Sequence, residues 1–487
     1  MSNGMHQQKI AIEQYFDVAG MTEIQTGFYS LASPMEALAA RLFMIDAATR
    51  TLDLQYYLFK DDLVGSLIIE HLLKAAERGV QVRLLLDDLD AASKDAAFAM
   101  LAAHDNIEIK LFNPNVFRGL FRGLVLLLHL QRLGRRMHNK VMIADNKVVL
   151  FGGRNIGSEY FLSDDARMFL DYDVMAIGDL SAKVRVEFEA YWQSSMAKPL
   201  SQLTQYVFSL KDREKKRRRY RQRLAHYHST QTAYLVEHSR LSRLVRKNRI
   251  PLVLAEAKLF FDPPSKVNNT HSEQESLVYQ LNQALKVRSD LVLISPYFIP
   301  TRAGMRLFEA YRQQGVRIRV ITNSLASTDV TMVYGHYRPY IAELLSMGVE
   351  LYELRPRALQ RERRFFKNWR KNRVSLHTKM ALVDNRYLLT GSANVDPRSK
   401  KLNTEMLVVI DSVEMAKNER LQIENIMTGD NLFQLKLEAE GADEVPRLSW
   451  HYRENGQAVV EYEPPESSFW RKVTSRLMSR LPIEGVL

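Results

Sequence analysis

His138-Asn139-Lys140, with Asp145 five residues beyond the lysine, is the stretch that decides the fold of this chain. The same pattern, H-x-K-x4-D, returns as His377-Thr378-Lys379 with Asp384. Each copy pairs an imidazole, which moves protons or attacks an electrophile near neutral pH, with an ammonium that binds anions. Two copies in matching surroundings indicate a duplicated architecture whose halves share one site.

The residues around both copies predict β-hairpins. Val141-Met142-Ile143-Ala144 and Met380-Ala381-Leu382-Val383 are apolar runs typical of buried strands. Alternate side chains of a strand share a face, so the histidine and lysine of each copy point the same way. Asp145 and Asp384 lie an odd number of residues from their histidines and precede turn-forming residues. We therefore expect each aspartate to bond the turn backbone and to be structural.

A second repeat follows each hairpin and predicts an anion site. Gly152-Gly153-Arg154-Asn155 corresponds to Gly391-Ser392-Ala393-Asn394. Glycine at a strand end lets backbone N–H groups approach an anion, and asparagine adds a side-chain donor. The expected phosphate ligands are Gly153, Asn155, Ser392 and Asn394.

An acidic residue lies on the strand predicted after each of these segments. Asp173, in residues 171–175, matches Glu405, in residues 404–408. Such a carboxylate accepts from the far nitrogen of a histidine, fixes its tautomer and stabilises the imidazolium. We expect Asp173 and Glu405 to orient the two histidines; the alternative is that they form surface salt bridges.

The repeat also extends upstream of the motifs. Residues 52–57 resemble residues 291–297, and each stretch precedes an amphipathic helix and a second apolar strand beginning after Gly79 or Gly315. Strand, helix, glycine turn and strand predict a right-handed βαβ unit with a parallel strand pair. The prediction is an α/β fold of two duplicated halves that face each other across a pseudo-twofold axis and share a cleft.

The doubled H-x-K-x4-D resembles the defining signature of the phospholipase D superfamily, from about residue 25 to residue 410. The resemblance implies two α-β-α sandwich halves. Residues 135–140 and 151–157 are similar to bacterial cardiolipin synthases, and residues 481–484 with the absence of an N-terminal membrane span are typical of the class C type.

The family resemblance implies a double displacement at phosphorus. One histidine attacks, the other protonates the leaving alcohol, and water or an alcohol then attacks the phosphohistidine. His138 is the preferred nucleophile, although the sequence is compatible with either. No cofactor is expected, and no metal, because two distant His/Lys pairs make a poor zinc site. The motif residues assigned as catalytic are His138, Lys140, Asp145, His377, Lys379 and Asp384.

The charge pattern predicts an anionic partner. The chain of 487 residues carries a net charge of +12 and no cysteine, which excludes disulfides and thiol catalysis. Residues 211–223 and 355–373 are strongly basic, and the second run lies just ahead of His377. Basic residues near both motifs attract nucleic-acid phosphates or anionic headgroups. A solvated helix face or a mobile loop is the alternative for both runs.

Two apolar stretches favour lipid over nucleic acid. Residues 120–130 are too short to span a bilayer, and we expect neither a transmembrane helix nor a signal peptide in this chain. Residues 469–481 place Trp470, Val473, Leu477 and Leu481 at helical spacing among basic residues, which is typical of an interfacial amphipathic helix. Burial against the core is the alternative for both stretches.

The predicted organisation is a first phospholipase D-like half at residues 25–200, a basic connector at 201–269, a second half at 270–412 and a C-terminal extension at 413–487 that contains the amphipathic helix. The connector is longer than most ordered loops, so we expect helix within it or partial mobility.

The predicted activity is that of a cardiolipin synthase-type phosphatidyltransferase acting on phosphatidylglycerol, with phosphatidylethanolamine as an alternative donor. Hydrolytic phospholipase D, a nuclease of the same superfamily and a non-catalytic lipid binder are the alternatives. Partners are expected to be phospholipids and a membrane surface, with a small accessory protein left open and nucleic acid disfavoured. The expected location is peripheral, on the cytoplasmic face of a bacterial inner membrane.

Overall fold

Strands and helices alternate along most of the chain in the computed structural model, which describes residues 10–89, 95–115, 130–161, 167–203, 210–228, 230–359, 372–438 and 446–481. The strands of these residues are β1 (Thr26–Leu31), β2 (Thr51–Tyr56), β3 (Gln81–Asp87), β4 (Ile107–Phe112), β5 (Val141–Ala144), β6 (Val148–Gly152), β7 (Arg167–Leu170), β8 (Asp173–Gly178), β9 (Ala197–Pro199), β10 (Val253–Phe261), β11 (Asp290–Ile294), β12 (Arg317–Asn323), β13 (Glu350–Leu354), β14 (Arg373–Leu376), β15 (Met380–Val383), β16 (Tyr387–Gly391), β17 (Met406–Asp411), β18 (Leu432–Glu438), β19 (Arg447–Glu454) and β20 (Gln457–Glu461). The α-helices are α1 (Pro34–Ala47), α2 (Leu63–Glu77), α3 (Asp95–Leu101), α4 (Leu130–Leu133), α5 (Asp179–Trp192), α6 (Leu200–Leu203), α7 (Leu210–His228), α8 (Gln231–Glu237), α9 (Arg240–Arg246), α10 (Leu277–Ala284), α11 (Thr301–Gln313), α12 (Thr331–Tyr337), α13 (Ile341–Ser346), α14 (Pro397–Lys401), α15 (Val413–Ile426) and α16 (Phe469–Met478).

The two predicted βαβ units are present. Strands β2 and β3 are parallel neighbours joined by α2, and β11 and β12 are parallel neighbours joined by α11. Helix α2 begins where the Asp62 side chain accepts from the Gly65 amide, and it buries Leu67, Ile68 and Leu72 against the sheet. Gly79 and Gly315 have φ of +91° and +82° at the turns into β3 and β12, a conformation that favours glycine.

A continuous run of hydrogen-bonded strands connects the halves. The first residues of β10, from Val253 to Ala255, are antiparallel to β1 of the first half, and the rest, from Glu256 to Phe261, are antiparallel to β17 of the second half. The segment predicted as a basic connector therefore supplies the strand that joins the halves, while β18, β19 and β20 extend the second half. The domain limits drawn from the sequence remain a prediction. The pairings give the order β9-β4-β3-β2-β5-β6-β8-β1-β10-β17-β16-β15-β11-β12-β13-β18-β19-β20.

Apolar packing also unites the halves. One core cluster lies under α1 and α2 of the first half, and another lies under α11 and α12 of the second. A third cluster contains side chains of both halves, among them Val141, Phe151, Leu382 and Val408. Since buried apolar area is the dominant favourable contribution to folding, this shared cluster holds the two motif hairpins against each other.

Both hairpins form, but the motif aspartates do not bond their own turns. Asp145 accepts from the backbone amides of Thr49, Arg50 and Thr51, which lead into β2. Asp384 accepts in the same way from Arg288, Ser289 and Asp290, at the entrance of β11. The prediction of a turn-bonding role is therefore wrong, although the structural role is retained. Each carboxylate fixes the end of its hairpin that lies farthest from the histidine.

The predicted surface segments are only partly described. Residues 116–129, 360–371 and 482–487 lie outside the described residues, and with them most of the apolar stretch 120–130, most of the basic run 355–373 and most of 481–484. The other basic run is helix α7, which buries Tyr220 and Leu224 and exposes Arg218 and Arg219. Among the described helices, none is long and apolar enough to cross a bilayer.

Candidate active site

Both motif histidines open into one cleft between the halves. His138 and His377 line a cavity of about 430 Å³, together with Asn155 and Asn394. Only 6% of His138 and 5% of His377 is exposed, so each ring lies at the base of the cleft. Tyr57 packs edge-on against the ring of His138, with centroids 5.0 Å apart. The shared cleft predicted from the sequence therefore exists in the structure.

Backbone hydrogen bonds between the halves position each histidine. The His377 amide donates to the Leu170 carbonyl at 2.7 Å, and the preceding strand β14 is parallel to β7 of the first half. On the opposite side of the pseudo-twofold axis, the His138 amide donates to the Thr404 carbonyl at 2.9 Å. Each histidine thus lies beside the segment that carries an acidic residue of the other half.

Those acidic residues are Asp171 and Glu405. Asp171 Oδ2 lies 2.5 Å from His377 Nδ1, and Glu405 Oε2 lies 2.9 Å from His138 Nδ1. The Ser392 carbonyl oxygen is also 3.0 Å from His138 Nδ1. Because a carbonyl only accepts, Nδ1 of His138 carries the proton, and Nε2 of the neutral ring keeps its lone pair. The expectation for Glu405 agrees with this contact.

The expectation for Asp173 is wrong by two residues. Asp173 is buried between two guanidinium groups, 2.9 Å from Arg41 and 3.3 Å from Arg154. In the sheet, Asp173 lies opposite Gly152, and Leu407 lies opposite Gly391. The structural counterpart of Glu405 is therefore Asp171, two positions before Asp173. Strand register provides this alignment, whereas matching acidic residues along the sequence does not.

The two histidine–acid pairs differ in electrostatics. Burial lowers the pKa of His138 well below its usual value, and the two motif lysines add to this effect. Burial also raises the pKa of its partner Glu405. Burial alone favours the neutral form of Asp171, but the neighbouring His377 and Lys379 overcome it and lower the pKa of this carboxyl. Burial and Lys379 lower the pKa of His377 as well, but the ionised Asp171 opposes them. Imidazolium is therefore less disfavoured at His377 than at His138, whose pKa is lowered further.

The two lysines lie directly behind the histidines. Lys379 Nζ donates to the His377 carbonyl at 2.6 Å, and Lys140 Nζ donates to the His138 carbonyl. Burial lowers the pKa of Lys140 to about 7 and also lowers that of Lys379. A bound phosphate would favour the charged form of both lysines, because opposite charges attract strongly in a desolvated site.

The predicted phosphate ligands separate into two groups. Asn155 and Asn394 both line the cleft, and Asn394 Oδ1 is buried without a hydrogen-bond partner. Gly153 and Ser392 instead use their backbone amides within the protein, donating to the carbonyls of Tyr172 and Met406. The Ser392 hydroxyl is 2.5 Å from Glu405 Oε2. The expectation that Gly153 and Ser392 present amides to phosphate is therefore wrong, since Ser392 supports the acid.

Several cleft residues were not predicted from the sequence. Tyr160 packs against the His377 ring, with centroids 5.2 Å apart, and Asp329 and Asp396 line the cleft. Burial raises the pKa of Asp396 to about 7. The sequence around these residues carries no signal, because Tyr160 ends a three-residue 3-10 helix and the two aspartates lie in loops. Across the described ranges, no cluster of three or more His, Cys, Asp or Glu side chains has the arrangement of a metal site.

The chain has two duplicated α/β halves, and the histidine of each H-x-K-x4-D motif contacts an acidic residue of the other half. These features define a phospholipase D-like enzyme fold. The family model described as "Cardiolipin synthase, PLD-like domain" matches residues 42–192 and 277–427, one copy in each half. The chain belongs to this cardiolipin synthase family of phospholipase D-like proteins.

The chain is also similar to individual proteins. The chain is 37% identical to cardiolipin synthase C of Escherichia coli (strain K12), over 95% of this chain and 96% of that protein. It is 32% identical to an uncharacterised protein of Helicobacter pylori, over 93% and 88% of the two chains. A phosphatidylserine synthase from Haemophilus influenzae has a similar fold, with a TM-score of 0.57, 16% identity and coverage of 84% of this chain and 87% of that one.

The assignment of Asp171, rather than Asp173, as the partner of His377 can be tested by mutation. Asp171→Asn removes the ionised partner of His377 and should lower kcat about a thousandfold, because the amide neither fixes the same tautomer nor stabilises imidazolium. Asp173→Asn leaves the cleft contacts in place and breaks the buried pairs with Arg41 and Arg154. It should cost about 3 kcal/mol in the free energy of unfolding. Steady-state kinetics and urea denaturation of both variants check these outcomes.

Glu405→Gln is the internal comparison for Asp171→Asn. The Ser392 carbonyl still accepts from His138 Nδ1 in this variant, so kcat should fall by only about tenfold to a hundredfold. A greater loss in Asp173→Asn than in Asp171→Asn, measured on the folded fraction, would contradict the assignment of Asp171.

Proposed function

We propose that this protein transfers a phosphatidyl group from a phospholipid to a glycerol hydroxyl of phosphatidylglycerol through a phosphohistidine intermediate. The observation that supports this proposal is the pair of histidines from opposite halves in one cleft, each held through Nδ1 by an acid of the other half. Such a pair supplies a nucleophile and a proton donor at the same phosphorus.

His138 is the proposed nucleophile. Its Nδ1 carries the proton, and its lowered pKa keeps Nε2 unprotonated and free to attack. The bond from Nε2 to phosphorus forms as the bond to the leaving alcohol breaks. His377 is the proposed acid, since ionised Asp171 stabilises its protonated form and the proton passes to the leaving oxygen.

The second step reverses the roles of the first. A glycerol hydroxyl of phosphatidylglycerol attacks the phosphohistidine, neutral His377 accepts the hydroxyl proton, and the bond to His138 breaks. Lys140, Lys379 and the two cleft asparagines are the proposed ligands of the non-bridging oxygens, where they oppose the negative charge of the transition state. Water in place of the hydroxyl would give hydrolysis through the same residues.

A cluster of arginines beside the cleft suits anionic lipids. Arg167 and Arg373 are directly opposed in the β7–β14 pair. Arg471 of helix α16 donates to the Thr328 carbonyl at 2.6 Å, and burial together with Arg167 and Arg373 lowers the pKa of its guanidinium. Asp329 opposes this effect but does not reverse it. Like charges held together are costly unless an anion compensates them, so this cluster supports an anionic substrate.

Helix α16 also provides the proposed membrane contact. Its aromatic residues are exposed, Phe469 by 70% and Trp470 by 74%, and Leu477 is exposed as well. Helix α16 packs closely against Gly335 of α12. Val333, which also belongs to α12, lines the cleft. Exposed aromatic rings among arginines favour a bilayer interface. We infer peripheral attachment with the cleft near the lipid surface; the cytoplasmic face remains a prediction.

The transferase proposal predicts a defined product. Purified protein incubated in vesicles of labelled phosphatidylglycerol, alone and with phosphatidylethanolamine, should form diphosphatidylglycerol. Release of glycerol or of ethanolamine then identifies the phosphatidyl donor, and thin-layer chromatography with mass spectrometry reads both products. The His138→Ala, His377→Ala double variant is the control.

Phosphatidic acid as the sole product would assign the chain as a hydrolase. Cleavage of oligonucleotides without any lipid turnover would assign it as a nuclease. Addition of a membrane extract from which this protein has been removed tests the need for an accessory protein.

The two histidine roles predict different pre-steady-state behaviour. With the phosphatidyl ester of p-nitrophenol, whose leaving group departs without a proton, His377→Ala should still release a burst of nitrophenolate. His138→Ala should show no burst, because the attacking nitrogen is missing. His71→Ala is the matched control, since His71 pairs with Asp46 at 2.7 Å on the surface. A burst in His138→Ala and none in His377→Ala would instead make His377 the nucleophile and His138 the acid.

The membrane contact predicts a loss of vesicle binding. Phe469→Ser combined with Trp470→Ser should weaken partitioning into phosphatidylglycerol vesicles by about tenfold or more, because two large apolar side chains no longer leave water. Val186→Ser with Leu421→Ser removes exposed apolar side chains elsewhere on the surface and is the control. If both double variants float with the vesicles to the same extent, helix α16 is not the membrane contact.

A further inference from the structure

A second cavity, of about 320 Å³, adjoins the cleft in the second half of the chain. It lies between helices α10 and α11 and the underlying sheet. Its walls are mainly apolar and include Leu281, Ile299, Leu307 and Leu407. Leu307 remains 42% exposed, so the cavity reaches the protein surface beside this side chain.

This apolar cavity and the catalytic cleft share part of their walls. Asn394 and Asp396 line both spaces, and Lys379 lines the apolar cavity. A ligand whose phosphate lies against Asn394 in the cleft therefore has the apolar cavity next to it. The cleft is polar at this junction and the adjoining cavity is apolar, which matches the division within a phospholipid between headgroup and acyl chain.

The duplicated first half has charged side chains at two positions that correspond to the walls of this cavity. Arg154 precedes Asn155 there, whereas Ala393 precedes Asn394. Asp173 lies opposite Gly152, whereas Leu407 lies opposite Gly391. Arg154 and Asp173 form a buried salt bridge, but Ala393 and Leu407 line the apolar cavity. The two halves therefore differ at the same two positions, and in the second half both residues line the apolar cavity.

We propose that this cavity binds an acyl chain of the phospholipid whose phosphate reacts in the cleft, which makes the second half the donor side of the site. The proposal rests on the proposed phosphatidyl transfer. An apolar cavity offers water few hydrogen-bond partners, whereas each methylene of an acyl chain gains free energy when it leaves water. The other lipid chain and the glycerol backbone remain free to extend toward the bilayer.

Gly304 of α11 offers a direct test. A Cβ built on Gly304 meets only the Pro300 Cβ within 4 Å, at 3.3 Å, and the residue lines the cavity. Gly304→Leu should therefore occupy the space proposed for the chain. We expect the ratio of turnover on dioleoyl-phosphatidylglycerol to turnover on dihexanoyl-phosphatidylglycerol to fall about tenfold or more. Leu281→Trp fills the cavity from α10 and should shift the ratio in the same direction.

Arg306→Leu is the matched control, because it adds the same side chain to an exposed position of α11 outside the cavity. It should keep the wild-type ratio. A binding measurement accompanies the kinetics: dioleoyl-phosphatidylglycerol in detergent should raise the Tm of wild type and of Arg306→Leu more than that of Gly304→Leu.

The outcomes separate the two proposals. A wild-type protein that forms no transfer product would overturn the proposed function, whatever the variants do. A folded Gly304→Leu protein that keeps the wild-type chain-length ratio and the wild-type Tm shift would overturn the acyl-chain cavity alone. A Tm shift lost in Gly304→Leu and retained in Arg306→Leu supports the cavity independently of catalysis.

Discussion

Each motif histidine obtains its carboxylate partner from the opposite half, so neither half contains a complete histidine–acid pair. The contacts between His377 and Asp171 and between His138 and Glu405 require that the two hairpins meet at one register. Backbone bonds to Leu170 and Thr404 fix that register. The shared apolar cluster and strand β10 hold the halves in place around these bonds. A one-residue slip would reverse the faces of the strand side chains and separate both pairs.

The duplication is symmetric in geometry and asymmetric in charge. Glu405 shares the His138 proton with a backbone carbonyl, and its own pKa is raised by burial. Asp171 is held ionised, because the cations beside it outweigh burial. Equal pairs would give the two imidazoles the same affinity for a proton. Unequal acidic partners give the two imidazoles different proton affinities, so that one ring is neutral while the other is protonated. This difference allows the neutral ring to attack while the protonated ring donates its proton.

Much of this fold could be predicted from the sequence, because its signals are local. The βαβ units, the hairpins and the two His/Lys pairs follow from periodicity and spacing within short windows. The acid register could not be predicted, because the segment from Gly152 to Asp173 is longer than the segment from Gly391 to Leu407. Equal spacing in the sequence therefore does not identify equivalent positions. The turn role assigned to Asp145 failed for a related reason. Its partners at residues 49–51 are distant in sequence and adjacent only in the sheet.

The charged triad of the first half and the apolar cavity of the second are two solutions for the same position in a duplicated unit. Burying Arg41, Arg154 and Asp173 requires that nearly every polar atom be paired, and the carbonyls of Leu31 and Ala32 accept from Arg154 for this purpose. Replacing such a network by alanine and leucine removes the desolvation cost and leaves a void, which normally destabilises a core. A void that reaches the surface and shares residues with the wall of the cleft can instead be filled by substrate. The free energy missing from the packing of the second half is then recovered when a lipid chain binds.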